Sequence, residues 1–450
     1  MGMGDRGTIG IDFGTTNSSV GLALGEAEVQ LVRFPYTGGA TEAFRSLLYL
    51  EMIKERGRSS IKSWTGPTAI EQYLAAETKG RLIQSLKSYL TSRTLTSTDV
   101  FGRRHTLETL IARILADLRT EAEREFGVPI RHAMVGRPVR YVGAETEDDN
   151  QYALARLRNA FHIAGYESVE FEMEPVAAAY FYESTLDHDE LILIGDFGGG
   201  TSDFSLLQVG PRIRREGRTA RDLLGNSGVG IAGDAFDARI VRNLVSPKLG
   251  AGSLARSMNK VLPAVPNWIY HKLERWHHLS FLRTMPVINM LKSTLVQALE
   301  PEKIAALLHL IEEDLGYHLH AAVQRVKCRL SETPEAEFYF VDGDLEIRAR
   351  VRRQDFEEWI GEEVRSIEQC VDSLLQTAGV QPGDLDVVFL TGGSSFVPAI
   401  RRIFDTRFGA ERVRSGNEFT SVARGLALRA AMPAAMPAAD YPITPGNYSR

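Results

Sequence analysis

The sequence predicts an α/β protein made of two related halves. Three observations carry that expectation. Short apolar strands recur between amphipathic helical stretches through the chain. A strand–Asp–Phe–Gly hairpin at residues 9–16 returns at 194–201, with Asp12 and Asp196 lying 184 residues apart. A third glycine turn, at 391–395, ends one apolar run and precedes a helical pattern.

Taken in order, residues 8–13 form a strand ending in an acid, Gly14, Thr15 and Thr16 a turn, and 19–24 a return strand. Leu107, Leu110, Ile111, Ile114, Leu115 and Leu118 repeat at helical spacing, which predicts an amphipathic helix over 106–126. The apolar runs 191–194 and 387–390 precede glycine turns and read as buried strands. One helix is expected over 355–378, with Asp355 and Glu358 capping its start and Gly379 its end. Pro398 fits the first turn of a helix over 398–408. Residues 247–300 carry Pro263, Pro266 and Pro286 with Trp268, Tyr270, Trp276 and Phe281, and read as an insertion of short helices. Within it Trp268, Ile269, Leu273 and Trp276 fall near helical spacing, which favours core packing over a docking face. The Ala-Met-Pro repeats after 430 read as a disordered tail.

Composition narrows the function. With 52 Lys and Arg against 58 Asp and Glu the net charge is −6, unlike a dedicated nucleic-acid binder. No apolar run reaches the roughly 18 residues of a membrane span, and the first residues lack a signal-peptide pattern. The two cysteines, Cys328 and Cys370, allow no disulfide framework, and neither shows a partnered base. A cytoplasmic protein without membrane or nucleic-acid partners is expected.

Two acids on hairpin tips, each followed by small residues, suit a nucleoside triphosphate. Glycines admit close backbone approach, and successive N–H groups make an anion nest. Thr15, Thr16 and Thr201 add hydroxyls, and Asp12 and Asp196 can hold Mg²⁺ through waters, with Asp203 as a third acid. A flat nucleoside can lie against the Gly392–Gly393 turn. By itself Lys87 reads as a solvated lysine on a helix near Arg81, and Glu174 as an acid at a helix start. The arginines 212, 214, 215, 218 and 221 read as a solvated loop. His271, His277 and His278 lack an evident acid or cysteine to complete a metal set.

These motifs, in this order, resemble the actin-like ATPase superfamily, and within it the ATPase domain of the seventy-kilodalton heat-shock (DnaK-type) chaperones. IGIDFGTTNSSV at 9–20 is similar to that family's first phosphate loop, GDFGGGTSD at 195–203 to its second, EPVAAAY at 174–180 to its lobe-linking segment, and AGDAFD at 232–237 to its GGEDFD. The resemblance implies two ribonuclease-H-like lobes with outer subdomains around a nucleotide cleft: residues 1–187, and 188–430 with the insertion at 247–300, followed by a tail at 431–450. It implies ATP or ADP with Mg²⁺, and K⁺ as a further ion.

Roles carry over residue by residue. Lys87 is the implied catalytic lysine and Glu174 the carboxylate that orients water. Asp12, Asp196 and Asp203 arrange ions. Gly14, Thr15, Thr16, Asn17, Gly198, Gly199, Gly200 and Thr201 cradle phosphates. By the same resemblance Lys327 and Ser331 match adenosine contacts, Gly392, Gly393 and Ser394 the nucleoside-side glycine turn, and Gly233 and Asp234 are further nucleotide-binding positions. Gln324 and Cys328 depart from the family's acid and adenine-stacking arginine, and a relay arginine is replaced by Leu154. The family's substrate-binding domain is expected to be missing. The implied function is a slow, chaperone-like ATPase acting on a protein client or with a co-chaperone. A nucleotide-gated scaffold and an actin-like filament protein are the alternatives.

Overall fold

In the computed structural model, which describes residues 8–25, 27–55, 58–76, 80–257, 260–275, 278, 282–416 and 420–432, the repeated hairpins become the hearts of two sheets. The chain divides into two units. The first takes in the described residues up to Ala232, Ser366–Ser395 and those from Ile400 onward, and the second Gly233–Arg365 with Phe396–Ala399. Both hairpin sheets belong to the first unit.

The two sheets share one strand order. In the first, Thr8–Phe13 pairs antiparallel with Asn17–Ala23, which pairs antiparallel with Val29–Leu31. On its other side Thr8–Phe13 lies parallel to His132–Arg137, and that strand parallel to Ser168–Met173. In the second sheet Glu190–Phe197, Ser202–Val209, Leu223–Val229, Val387–Thr391 and Val413–Ser415 take the same five places with the same directions. The internal repeat read from a few residues is thus a repeat of whole sheets. Register shows where the copies diverged: Asp12 lies opposite Ser19, whereas Asp196 lies opposite Asp203. Only the second copy supplies a third acid.

Each sheet is covered by a helix that the chain adds after finishing the other sheet. Glu174–Glu183 follows the last strand of the first sheet but packs on Glu190–Phe197 and Ser202–Val209. Ser421–Ala431 follows the second sheet but packs on Thr8–Phe13, Asn17–Ala23 and His132–Arg137. The two helices also cross each other, and the crossing leaves no room for side chains. A Cβ on Gly425 would sit 1.6 Å from the Ala177 carbonyl oxygen. This is why the 174–180 motif is rich in alanine: Ala177, Ala178 and Ala179 have no exposure. Where helix Ser421–Ala431 lies on the first sheet the approach is as close, since a Cβ on Gly10 would sit 2.2 Å from Ala427 N.

The helix expected over 106–126 is Leu107–Phe126. Thr106 caps it by accepting from Thr109 N, and Gly127 ends it at φ +69°. The helix expected over 355–378 is broken. Arg353–Trp359 and Gly361–Ala378 meet at Ile360, whose φ of −92° and ψ of 7° lie outside the helical region. Asp355 is not the N-cap residue but lies in the first turn, where it pairs with the Arg352 guanidinium.

The second unit is mostly helical. The 247–300 stretch holds the helices Asn267–Leu273 and Met285–Gln297, and also a hairpin, Leu254–Ser257 with Lys260–Pro263, that its proline content argues against. Pro263 sits at the end of the outer strand, where a missing N–H costs little. Ile269 and Leu273 are core residues, but Trp268 is 44% exposed, with Lys272 Nζ 5.3 Å from its ring centre. Trp276, His277, Phe281 and the 433–450 tail lie outside the described residues. No helix among the described residues is long and apolar enough to cross a membrane.

Candidate functional site

The site of the first unit is built from turns. Gly14 lets the first hairpin reverse tightly, since a Cβ there would fall 2.1 Å from the Asn17 carbonyl oxygen. In the second hairpin Gly198 N donates to Thr201 O at 3.0 Å. The two tips adjoin: a Cβ on Gly200 would meet Val142 at 3.0 Å, Thr15 Oγ1 at 3.3 Å and Ser88 Oγ at 3.7 Å. The third glycine turn rests on the second. Gly392 adopts φ +83° against the Phe197 carbonyl, and Ser394 Oγ donates to Gly198 O at 3.3 Å. Gly198 and Gly393 are exposed, so these turns present open backbone.

Lys87 is not the solvated helix lysine its local sequence suggests. Arg81 lies on a strand, Arg81–Gln84, and Lys87 on a single 3₁₀ turn, Leu86–Tyr89. Ser85 takes the left-handed φ of +54° to start that turn, a cost usually met where a side chain must be aimed. Lys87 is 7% exposed, and its Nζ lies 2.6 Å from Glu174 Oε1. Glu174 opens its helix, as expected, but is buried, with Gly136 leaving room for its side chain.

Around this pair stand Asp12, Asp196 and Asp203. Asp196 and Asp203 are buried, and Asp12 keeps partial solvent access at its surface. Asp203 Oδ1 accepts from Val139 N at 2.8 Å and Arg140 N at 3.3 Å, while its Oδ2 is buried with no hydrogen-bond partner among the described residues. Desolvation raises Asp12 to about 7, with Glu174 adding repulsion and Lys87 opposing it. Asp203 is raised to about 7 by burial and then by Glu174. Asp196 is raised well above the usual carboxylate range by burial, then by Glu174, Asp12 and Asp203. Burial works against the charge of Lys87, but Glu174, Tyr141 and Asp12 overcome it and hold the amine up at about 12.

Four mutually repelling carboxylates therefore stand against one lysine charge, and the surplus negative charge fits a cation. No three His, Cys, Asp or Glu side chains among the described residues converge closely enough to ligate one ion directly. The acids fit a Mg²⁺ ion held through its waters, which is that ion's habit.

Of the residues expected to bind nucleotide, Gly233, Asp234, Lys327 and Ser331 belong to the second unit. Lys327 Nζ pairs with Asp237 Oδ1 at 2.7 Å and donates to Gly233 O at 3.2 Å, joining helix Gly316–Glu332 to helix Gly233–Ile240. Ser331 Oγ donates back to Lys327 O. Cys328 is exposed.

Sequence reasoning missed Tyr141. It is 2% exposed, its N–H donates to Asn150 Oδ1 at 3.0 Å, and its hydroxyl is buried without a hydrogen-bond partner among the described residues. Burial pushes that phenol up to about 12, with Lys87 opposing. The available signal was position: residues 138–144 follow the parallel strand beside the first hairpin, at the carboxyl end where open sheets hold ligands. Nor is the arginine run simply a solvated loop. Arg218, just after helix Pro211–Glu216, is buried, 3.0 Å from Glu183 Oε2, with its guanidinium 4.9 Å from the Tyr180 ring centre.

Comparison with known proteins agrees with this geometry. The family model described as Hsp70 protein matches residues 58–250 and 311–440. The chain is 24% identical over 425 residues to the chaperone protein DnaK of Thermosipho africanus (strain TCF52B), covering 94% of this chain and 58% of that protein. It is 24% identical over 427 residues to the chaperone protein DnaK of Thermosipho melanesiensis (strain DSM 12029 / CIP 104789 / BI429), covering 94% and 59%. The chain thus spans about three fifths of the length of these curated relatives.

Proposed function

Because the chain belongs to the Hsp70 family, with its actin-like ATPase fold, we propose that it binds ATP with Mg²⁺ at the paired hairpin turns and hydrolyses it slowly in a chaperone-like cycle. One observation carries this reading: Lys87 and Glu174 form a buried pair at 2.6 Å, and Asp12, Asp196 and Asp203 of the two duplicated hairpins act electrostatically on that pair. Backbone N–H groups of the glycine turns, with Thr15, Thr16 and Thr201, hold the phosphates. Asp12 and Asp196 would hold Mg²⁺ through its waters, with Asp203, whose Oδ2 has no hydrogen-bond partner among the described residues, as the third acid. The bound metal supplies charge neutralisation at the phosphate oxygens.

Lys87 places its ammonium where charge grows on the γ-phosphate, and Glu174 accepts a hydrogen bond from the attacking water. Water oxygen bonds to the γ-phosphorus as the bond to the ADP oxygen breaks, giving ADP, inorganic phosphate and a proton. The Lys87–Glu174 contact orients both groups before substrate arrives. A protein client or co-chaperone is the proposed partner.

Single-turnover hydrolysis of labelled ATP, with protein in excess and Mg²⁺ and K⁺ present, tests the reading beside Lys87→Met. Slow ADP formation in the wild type, lost in the variant, is expected. ATP bound and intact in both would make the chain a nucleotide-gated scaffold instead.

A further inference from the structure

The Hsp70 match skips residues 251–310, and that gap has a surface unlike the rest of the chain. It carries seven Lys and Arg against three Asp and Glu, a net +4 in a protein of net −6. Of the sixteen large apolar side chains exposed among the described residues, seven fall within these sixty residues. The concentration is well beyond the scattered exposure normal for a surface.

The described residues of the gap fold into a hairpin and helices, so their exposed side chains have defined places. Along helix Met285–Gln297, Val287 and Leu291 face the core, while Met285, Lys292 and Val296 share the outer face at spacings of seven and four. Met285 is 65% exposed and Val296 86%. The hairpin continues this surface. Leu299 N donates to Leu254 O at 2.8 Å and Ala255 bridges Ala298, so Leu254 and Leu299 sit side by side. On the same face of the hairpin as Leu254 stand Arg256 and its cross-strand partner Val261. Exposed Arg256 adds positive charge on that face, and exposed Lys260 and Arg283 lie on the hairpin's other face and just before helix Met285–Gln297.

We propose that this face is a docking surface for an acidic amphipathic helix of a partner protein, apolar on one side and rich in Asp and Glu beside it. Charge complementarity selects the acidic partner. A protein is favoured over an anionic bilayer because carboxylates stand among the cations: Lys292 pairs with Glu312 at 2.8 Å, and Lys303 with Glu300. A lipid headgroup layer would repel those acids, whereas a helix can place its own charges between them. The inference is independent of nucleotide turnover, because none of these residues belongs to the candidate site.

The test selects a displayed library of amphipathic helices, with the charge of the polar face randomised, against the full chain. Enriched helices should carry acidic polar faces, bind with a Kd below about 100 μM, and weaken at least about tenfold against the double variant Met285→Asp, Val296→Asp. Both substitutions are at exposed positions, so the variant should melt with the wild type, and Lys292→Glu should weaken binding without changing the apolar face. No enrichment, enrichment without an acidic bias, or binding indifferent to the double variant overturns the proposal. Flotation with phosphatidylglycerol vesicles, or self-association in sedimentation, that the double variant abolishes would also overturn it and reassign the face to lipid or to a second copy.

Discussion

Lys87 Nζ lies 2.6 Å from Glu174 Oε1, joining a strained turn after an outer strand to the first residue of a crossing helix. Both side chains are nearly fully buried. Removing one partner of such a pair strands the other charge, at about 3–5 kcal/mol. Lys87→Met should therefore destabilise the protein and cut turnover by about 100-fold or more while nucleotide still binds. Glu174→Gln added to Lys87→Met should recover part of the stability, since the stranded charge is gone. Urea melts of the four proteins in this cycle check it, and strictly additive losses would refute the coupling.

Asp203 is fully buried and raised to about 7 from 3.8. A carboxyl that holds its proton more tightly folded than unfolded makes stability fall as pH rises from about 4 to about 7. Each tenfold gain in proton affinity on folding is worth about 1.4 kcal/mol. Asp203→Asn keeps an acceptor for Val139 N and Arg140 N and removes the charge. Without Mg²⁺ or nucleotide it should raise the melting temperature at pH 8 and flatten its pH dependence, while hydrolysis is lost. A melting temperature at pH 8 below that of the wild type would contradict the assignment.

Gly425 sits where two helices touch, 1.6 Å being all the space a Cβ would have from the Ala177 carbonyl. Backbone cannot yield as a side chain can. Gly425→Ala should cost about 3 kcal/mol or more, although alanine is the better helix former. Thermal unfolding decides the matter: a neutral or stabilising result would mean the crossing is looser than described.

Arg218 and Glu183, the last residue of helix Glu174–Glu183, form a second buried pair at 3.0 Å. Burial raises Glu183, and Arg218 counters it. Arg218→Met should lose about 3–5 kcal/mol, with Arg218→Lys intermediate because lysine cannot also stack on Tyr180. Chemical denaturation of both variants measures this, and a loss under about 1 kcal/mol for Arg218→Met would show that the pair is dispensable.

Tyr141 offers a cleaner separation of stability from chemistry. Its buried hydroxyl has no hydrogen-bond partner among the described residues, so Tyr141→Phe should leave stability unchanged or slightly higher. A fall in single-turnover rate with unchanged melting would assign that hydroxyl to the reacting phosphate. Unchanged turnover would assign the ring to packing alone.

The hairpin strands, the helix over 107–126 and the acids at the tips were legible because each is written locally. A period of two or four residues, a capping threonine or a glycine turn fits within a few neighbours. The hairpin at 254–263 was hidden by its prolines, and the break at Ile360 by an apolar pattern that runs through it. Residue type alone also misjudged Lys87, Arg218 and Trp268: the two cations are buried beside carboxylates, and the indole stands out in solvent.

By itself the sequence determined the α/β class, the two hairpins and which acids stand at their tips. The shared order of the two sheets, the exchange of covering helices and the pairing of Lys87 with Glu174 across 87 residues were decided only by the tertiary structure. The physical reason is range. Periodicity and turn chemistry act between neighbours along the chain, whereas burial, and with it the charge and proton affinity of a side chain, depends on elements that only folding brings alongside.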